Sequence, residues 1–272
     1  MQKIWFITGT SKGFGRVWTQ AALERGDKVI ATARNLNSLE ALNEKYGDNV
    51  LTLALDVTDK TAVDEAVRRA HDHFGRLDVI INNAGYGQFG AIEEISEQEA
   101  RDQLETNLFG ALWVTQATLP YLREQGSGHI IQVSSIGGVN AFPYIGIYHT
   151  SKWGLEGLSQ ALNQEVQPLG IKVTLVEPIG YTTDWSGPSA KVARQLPAYE
   201  HVREAREARR RSSVSGNPEA TGPVILKLVD MEQPPLRIVF GRGAHEMIHA
   251  EYDKRLAEWD RFKDLSEEAH GE

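Results

Sequence analysis

The sequence predicts an α/β protein with one doubly wound parallel sheet of seven strands and helices on both faces. Short apolar runs alternate with amphipathic segments of helical length, which is the pattern of βα units. Each run is apolar at consecutive positions, as expected for strands buried on both faces. The 272 residues can bury one large core, so we expect a single domain over 1–272. The seven predicted strands are 4–7, 29–33, 50–55, 77–81, 129–133, 173–176 and 236–240.

The composition limits the classes of function to consider. The chain has no cysteine, which excludes a disulfide framework and a thiol nucleophile. Its net charge of -8 argues against affinity for nucleic acid or anionic membranes. The run at 4–7 is too short for the core of a signal peptide, and no stretch approaches the ~18 apolar residues of a membrane span. We therefore expect a cytoplasmic protein with neither nucleic acid nor membrane as a partner.

A glycine-rich loop follows the first strand and precedes the first helical pattern. Gly9, Gly13 and Gly15 have the spacing G-x-x-x-G-x-G, which lets the backbone turn tightly and approach a pyrophosphate at the start of a helix. A plain βα turn has the same glycine content, but the position in the first βα unit favours dinucleotide binding. The predicted cofactor contacts in this loop are Gly9, Ser11, Lys12, Gly13, Phe14 and Gly15.

The end of the second strand predicts which dinucleotide binds. An acidic side chain there would accept a hydrogen bond from the ribose 2′-hydroxyl, whereas an arginine suits a 2′-phosphate. The sequence has Ala33 and then Arg34, and Lys12 in the glycine loop could reach the same phosphate. Either cation could instead be a solvated surface residue. We predict NADP rather than NAD.

Polar and small residues follow the third and fourth strands, at the edge where open α/β sheets bind ligands. Asp56 and Val57 follow strand three, where Asp56 could contact the adenine amine; Asp59 or Thr58 should cap the next helix. The segment 82–85 follows strand four, and an ordinary β-turn is the alternative reading of it. The predicted cofactor contacts here are Asp56, Val57, Asn83, Ala84 and Gly85.

Tyr148 and Lys152 are the strongest candidates for chemistry. Four residues apart on a predicted helix, they lie on the same face. A phenol titrates near pH ~10, and a neighbouring ammonium favours its ionised form. Such a pair is common by chance, so its significance depends on the other motifs.

Taken together, five motifs in order resemble the short-chain dehydrogenase/reductase family over residues 3 to 240. They are the glycine loop, Asn82-Asn83-Ala84-Gly85, Asn107 in the next long helix, Ser134-Ser135 after strand five, and Tyr148-x-x-x-Lys152. The resemblance implies a Rossmann fold and reduction of a ketone or aldehyde with NADPH, or the reverse reaction.

The family resemblance also implies a role for each catalytic residue. Tyr148 would exchange a proton with the carbonyl oxygen as general acid or base, and Ser135 would stabilise the charge on that oxygen. Lys152 would lower the pKa of Tyr148 and bind the nicotinamide ribose. Asn107 would hold a water that joins Lys152 to solvent. Ser134 is the alternative to Ser135, but the spacing to Tyr148 favours Ser135.

One position departs from the family pattern. Ile179 follows Pro178 where the family usually has glycine beside the nicotinamide, so we expect Ile179 to narrow the pocket or change cofactor affinity. Thr183 is at the position that contacts the carboxamide in the family. We include Pro178, Ile179 and Thr183 among the cofactor contacts.

Residues 185–216 form the least periodic part of the chain and are predicted to be a substrate lid. Five arginines in it, at 203, 206, 209, 210 and 211, alternate with glutamates; a solvated helix face is the favoured reading and a contact for an anionic substrate is the alternative. Aromatic residues could line an apolar substrate pocket or belong to the core. The predicted substrate contacts are Phe89, Phe142, Tyr144 and Trp185.

The predicted C-terminal helix at 243–268 contains a zinc-hydrolase pattern, His245-Glu246-x-x-His249. No third ligand is evident, and the motif lies beyond the last strand, so we expect no metal site. A family member that prefers NAD and oxidises alcohols is the next alternative, and an NADP sensor without turnover is another. Family members are often dimers or tetramers, and Gly154, Gly157 and Ala161 leave a small-residue helix face that would allow a homo-oligomer.

Overall fold

A computed structural model describes residues 2–183, 185, 187, 190–212 and 214–271. Seven parallel strands form the central sheet in the order β3-β2-β1-β4-β6-β7-β9. Every predicted strand is confirmed, with ends that agree within two residues. The sheet strands are β1 Ile4–Ile7, β2 Lys28–Ala33, β3 Val50–Ala54, β4 Val79–Asn82, β6 Gly128–Val133, β7 Ile171–Pro178 and β9 Arg237–Phe240, and β5 Gln88–Phe89 pairs separately with β8 Lys191–Val192.

Helices cover both faces of the sheet, as predicted. They are α1 Gly13–Glu24, α2 Glu40–Tyr46, α3 Lys60–Phe74, α4 Glu97–Leu104, α5 Gly110–Gln125, α6 Gly146–Val166, α7 Glu200–Ser212, α8 Thr221–Asp230, α9 Ala244–Arg261 and α10 Lys263–Glu268. The predicted C-terminal helix is therefore two helices, because the backbone leaves the helical conformation at Phe262. In the described part of the chain, no helix is both long and apolar enough to cross a membrane.

Successive side chains of β1 point to opposite faces of the sheet, and this divides the apolar core into two halves. Trp5 and Ile7 pack on one face with residues of α1 and α8, whereas Ile4 and Phe6 pack on the other with residues of α3, α5 and α6. Burial of each such side chain contributes about 1.5–3 kcal/mol. The continuous apolar runs in the sequence therefore reflect a sheet with no face open to water.

The parallel arrangement places several predicted motifs at one edge of the sheet. The glycine loop follows β1, Asn83 follows β4, Ser135 follows β6 and Ile179 follows β7. The chain reverses direction across the sheet between β1 and β4, which is the switch point where open α/β sheets bind ligands. The topology thus gathers residues that are far apart in sequence.

The predicted lid contains a short strand and a helix. Its strand β8 pairs with β5 beside the sheet edge, and α7 follows it. Ser186, Pro188, Ser189 and Ser213 of the predicted lid lie outside the described residues.

Candidate active site

The glycine loop is held in shape by Asn83 and Thr8. Asn83 Nδ2 donates to the carbonyl oxygens of Thr8 and Gly9 at 2.9 and 3.0 Å, and Thr8 Oγ1 accepts from the Asn83 N–H at 2.9 Å. A Cβ on Gly15 would lie 2.3 Å from Gly9 O and 2.5 Å from Asn83 Nδ2. The loop therefore closes tightly only with glycine at position 15.

The same loop leaves room for a phosphate. Gly13 has φ +58°, and a Cβ there would meet no atom of the described residues within 4 Å. Helix α1 begins at Gly13, and no side chain caps its first turn in the described structure. Amide groups at such a helix start bind anions readily. The residues present thus fit the pyrophosphate of a dinucleotide.

Both residues that are predicted to bind the 2′-phosphate lie at the border of this loop. Arg34 follows β2 directly, Lys12 precedes α1, and both side chains are exposed. The Thr10 N–H donates to Thr32 O at 2.9 Å, which ties the glycine loop to the end of β2.

Asp56, Thr58 and Asp59 form the turn into α3. Asp56 Oδ1 accepts from the Thr58 N–H and hydroxyl at 3.1 and 2.8 Å, and Asp59 Oδ1 accepts from the Ala62 N–H at 3.0 Å. Of the two predicted caps, the structure uses Asp59. Asp56 is exposed, whereas Val57 is buried and would lie 2.6 Å from a Cβ on Gly110. The buried Val57 side chain therefore packs beneath the turn.

Ser135, Tyr148 and Lys152 come together at the end of β6. The Ser135 hydroxyl lies near enough to the Tyr148 hydroxyl to lower its pKa, and Ser135 Oγ accepts from the Gly137 N–H at 3.0 Å. Lys152 Nζ donates to Val133 O at 2.7 Å and lies 5.8 Å from the centre of the Tyr148 ring. A proton donor, a second hydroxyl and an amine thus share one buried corner.

Burial dominates the acid–base properties of this corner. It raises the pKa of Tyr148 to about 12, against a smaller lowering by Ser135. It also lowers the pKa of Lys152 to about 8, although the negative charge of Glu156 opposes this. Removal of the phenolate from water thus outweighs the lowering by Ser135. That Lys152 lowers the pKa of Tyr148 stays a prediction.

Ser134 does not compete with Ser135 for this position. Ser134 Oγ is buried on the side of Glu156, where a Cβ on Gly138 would lie 2.5 Å from Ser134 Oγ and 3.1 Å from Glu156 Oε1. Adjacent residues of an extended chain point in opposite directions. Ser135 is thus the serine that faces Tyr148.

Asn107 lies in a one-turn π-helical widening, Glu105–Phe109, between α4 and α5. Its Nδ2 donates to Tyr86 O at 3.0 Å and to Ser151 Oγ at 3.2 Å, and its Oδ1 accepts from the Tyr86 N–H at 3.1 Å. A Cβ on Gly85 would lie 3.1 Å from Asn107 Oδ1, a tight contact that would require the Asn107 side chain to shift by a few tenths of an ångström. Asn107 therefore links the segment after β4 to the helix that carries Tyr148, and such widenings are frequent at functional sites.

His149 is a site residue that the sequence reading missed. Its Nδ1 contacts Gly137 O at 2.7 Å, and its Nε2 accepts from the Phe142 N–H at 2.8 Å. These bonds require a neutral ring that donates from Nδ1, and burial lowers the pKa of His149. The ring holds the loop after Ser135. Its position next to Tyr148 was the available signal, but a histidine in that position has many possible partners.

Ile179 and Phe142 lie in an apolar cluster beneath α9. Both pack with Ile136, Val139 and Ala244. A Cβ on Gly241 would lie 2.0 Å from Ile179 Cγ2, so glycine at 241 accommodates the larger residue at 179. The effect of Ile179 on the nicotinamide pocket stays a prediction, and Phe142 does not join the aromatic group formed by the other predicted substrate contacts.

Pro178 and Thr183 flank this position. Pro178 is the last residue of β7 and pairs with Phe240 of β9. Thr183 donates its N–H to Tyr181 O at 2.9 Å, and its Oγ1 accepts from the Trp185 N–H at 3.4 Å. Thr183 therefore begins the connection from the sheet to the lid.

The other three predicted substrate contacts form one aromatic group beside Tyr148. The Trp185 ring lies 4.9 Å from the Tyr148 ring and 5.4 Å from the Phe89 ring, and Phe89 lies 6.5 Å from Tyr144. Phe89 and Tyr144 also line a cavity of about 340 Å³ that extends under α7. Tyr144 has φ +77°, a strained conformation for a residue with a side chain.

Comparison with known proteins identifies the family. The profile of the family described as short chain dehydrogenase matches residues 3–192. The chain belongs to the short-chain dehydrogenase family. It is similar to Oxidoreductase BOA17 of Botryotinia fuckeliana, with 43% identity over 98% of each chain, and to 3-ketodihydrosphingosine reductase of Bacteroides thetaiotaomicron, with 37% identity over 88% of each chain. It is therefore an oxidoreductase of this family.

Solved structures of short-chain dehydrogenases have the same fold. A short-chain dehydrogenase from Streptomyces avermitilis has 38% identity over 98% of each chain and a TM-score of 0.92. An alcohol dehydrogenase from Thermococcus sibiricus complexed with 5-hydroxy-NADP has 24% identity over 88% of this chain and 96% of its own, with a TM-score of 0.74. A Burkholderia phymatum family member in complex with NAD has 19% identity over 94% and 95%, with a TM-score of 0.81. The last two likenesses show the fold alone.

The zinc-hydrolase pattern lies outside the site of this short-chain dehydrogenase. His245, Glu246 and His249 are exposed near the start of α9. Among the residues that the structure describes, no three His, Cys, Asp or Glu side chains are grouped so as to hold a metal ion.

Proposed function

We propose that this protein is an NADPH-dependent reductase that converts a ketone or aldehyde into the alcohol. The observation that carries the proposal is the grouping of the Ser135 and Tyr148 hydroxyls beside the Lys152 amine, whose Nζ lies 5.8 Å from the centre of the Tyr148 ring. This arrangement offers two hydroxyl groups to one carbonyl oxygen. Reduction of a carbonyl group by hydride requires such groups, because the oxygen gains negative charge and then a proton. The name of the Bacteroides relative, 3-ketodihydrosphingosine reductase, supports the same direction.

When bound, NADPH supplies the hydride that reduces the carbonyl carbon. Ser135 donates a hydrogen bond to the carbonyl oxygen and stabilises the negative charge that develops there. Tyr148 delivers the proton to that oxygen, and its raised pKa keeps it protonated at neutral pH, as an acid must be. Lys152 then favours the Tyr148 phenolate that remains, because its ammonium group lies 5.8 Å from the centre of the Tyr148 ring and stabilises the negative charge.

The cofactor would lie along the edge of the sheet between β1 and β4. Gly13 and the start of α1 would bind the pyrophosphate, and Arg34 and Lys12 would bind the 2′-phosphate. Lys152 would bind the nicotinamide ribose, and Thr183 the carboxamide. The preference for NADP is supported by the two exposed cations and by the lack of an acidic residue at positions 33 and 34.

The test is consumption of NADPH with a panel of ketones and aldehydes, with NADH in parallel. We expect turnover with NADPH, a weak response to NADH, and loss of turnover in Tyr148→Phe with NADPH affinity retained. Tyr252→Phe, at an exposed tyrosine of α9, is the matched control and should leave the rate unchanged. Equal rates with NADPH and NADH would refute the cofactor preference, and full activity of Tyr148→Phe would refute the mechanism.

We also propose that the protein is a homodimer or homotetramer that packs through the helices carrying Asn107 and Tyr148. On α6 a Cβ at Gly157 would meet nothing within 4 Å among the described residues, and the Trp153 ring nearby is 37% exposed. Gly154, in contrast, already packs on Leu108 within the chain. Light scattering should give a mass of two or four chains, and Gly157→Glu should reduce it. A monomeric mass of the unmodified protein would contradict the proposal.

A further inference from the structure

Helix α7 of the lid carries positive charge in an otherwise acidic protein. It contains five arginines and three glutamates, whereas the whole chain has a net charge of -8. A local patch of this sign raises the concentration of anions near it. The arginines of α7 have different roles, as the contacts of Arg203 and Arg206 show.

Arg203 is a structural residue. Its Nη1 donates to Glu94 Oε1 at 2.7 Å, and its Nη2 donates to Leu196 O at 2.7 Å and to Glu200 Oε2 at 2.9 Å. The Glu94 side chain is fully buried. These contacts fix α7 to the body of the protein and satisfy the charge of Arg203 with two carboxylates.

Arg206 is one turn further along α7 and faces the cavity. Its guanidinium lies 4.4 Å from the Phe89 ring centre and 5.8 Å from the Tyr144 ring centre. Its carboxylate contact is Glu207 Oε1 at 3.1 Å, but Glu207 also accepts from Arg210 at 3.1 Å. One carboxylate therefore faces two guanidinium groups, and burial lowers the pKa of Arg206. Arg206 thus places a guanidinium group at the wall of the cavity.

Aromatic contacts, rather than the cavity itself, connect Arg206 to the catalytic tyrosine. Phe89, beneath Arg206, contacts Trp185, and Trp185 contacts Tyr148. Ala190, Val192 and Gln195 complete much of the lining of the cavity, whose volume of about 340 Å³ suits a small ligand. A substrate with its carbonyl group at Tyr148 would pass along the aromatic group and reach Arg206 with its far end.

We propose that the substrate is a carbonyl compound with a carboxylate at the end remote from the carbonyl group, and that Arg206 binds this carboxylate. This inference rests on the proposed carbonyl reductase activity. A guanidinium binds a carboxylate through two parallel hydrogen bonds, and the aromatic rings beneath Arg206 hold its plane while excluding water. Arg206 is thus the residue that determines specificity for acidic substrates.

The test uses a series of oxo acids, in which the chain between ketone and carboxylate is lengthened stepwise, and the methyl ester of each. We expect the best acid to exceed its ester in kcat/KM by about 10- to 100-fold, as one charge-assisted contact provides. Arg206→Gln should remove this advantage, because KM for the acid rises more than KM for the ester. Arg211→Gln, which removes an equal charge from an exposed position of α7, should retain it.

Equal kcat/KM for acid and ester, or an equal loss for both in Arg206→Gln, would overturn the proposal and make Arg206 a contact that only fastens the lid. Calorimetric binding of the same acids and esters to the complex with NADP⁺, which cannot supply hydride to them, gives a second readout without turnover. Acid binding that depends on Arg206, without reduction of any ketone, would support the acid site and refute the proposed reductase activity. Binding of acid and ester with the same affinity would refute the acid site alone.

Discussion

The Glu177 carboxyl group should make the stability of this protein depend on pH in the neutral range. Glu177 is 2% exposed near the end of β7, and its Oε1 lies 3.7 Å from Arg237 Nε. Arg237 makes a shorter contact, 2.9 Å, with Glu156 Oε2. Burial and the charge of Glu156 raise the pKa of Glu177 from 4.5 to about 7, and Arg237 opposes them only in part. One arginine therefore serves two buried carboxylates.

The sign of the effect follows from proton binding in the two states. Between the unfolded pKa of 4.5 and the folded pKa of about 7, the folded protein holds a proton that the unfolded chain has released. The free energy of unfolding therefore falls as pH rises through this window, and the contribution is fully present only below pH 4.5. At 1.36 kcal/mol per unit of pKa, the loss amounts to about 3 kcal/mol.

The variant Glu177→Gln cannot ionise and should lack this dependence. Urea unfolding from about pH 5 to pH 9 gives the difference in free energy between the unmodified protein and the variant, which should change by about 3 kcal/mol in favour of the variant as pH rises. An unpaired amide in the variant would shift the whole curve but not its slope. Glu165→Gln, at an exposed position of α6, is the control. Parallel curves for the unmodified protein and Glu177→Gln would refute the reasoning.

Three further substitutions test the supports of the site. Gly15→Ala places a Cβ 2.3 Å from Gly9 O, so we expect a loss of about 1–3 kcal/mol of stability and weaker NADPH binding by calorimetry; unchanged affinity would show that the loop can adjust. Arg203→Gln leaves the buried Glu94 carboxylate without its main cation and should cost about 3 kcal/mol in urea unfolding, whereas a change below about 0.5 kcal/mol would mean that the lid is held by other contacts. His149→Phe removes two bonds to the loop after Ser135 and should lower kcat about tenfold at unchanged KM for NADPH. The pKa of His149 in the folded protein lies below 6.5, so the stability that this residue contributes is present above pH 6.5 and is lost on acidification. His149→Phe should therefore lose this acid dependence. Equal acid sensitivity of the variant and the unmodified protein would contradict the prediction.

The sequence by itself determined the sheet and most of the candidate site. Each strand is a local apolar run, and parallel βα units leave no choice about which edge of the sheet receives the segments that follow the strands. Gly9, Asn83, Ser135 and Tyr148 could therefore be assigned to one region without coordinates. The Tyr148 and Lys152 pair needed only the helical repeat.

Side-chain direction and long-range pairing were decided only by the tertiary structure. The sequence could not show where the Ile179 side chain packs, because the space for it depends on Gly241, which is distant in sequence. The pKa of Tyr148 depends on burial by elements from several parts of the chain, so the lysine one turn away did not decide it. Likewise, five arginines of one helix look alike in sequence. Arg203 differs from Arg206 only because Glu94 comes from a separate segment to meet the former, while Phe89 lies beneath the latter.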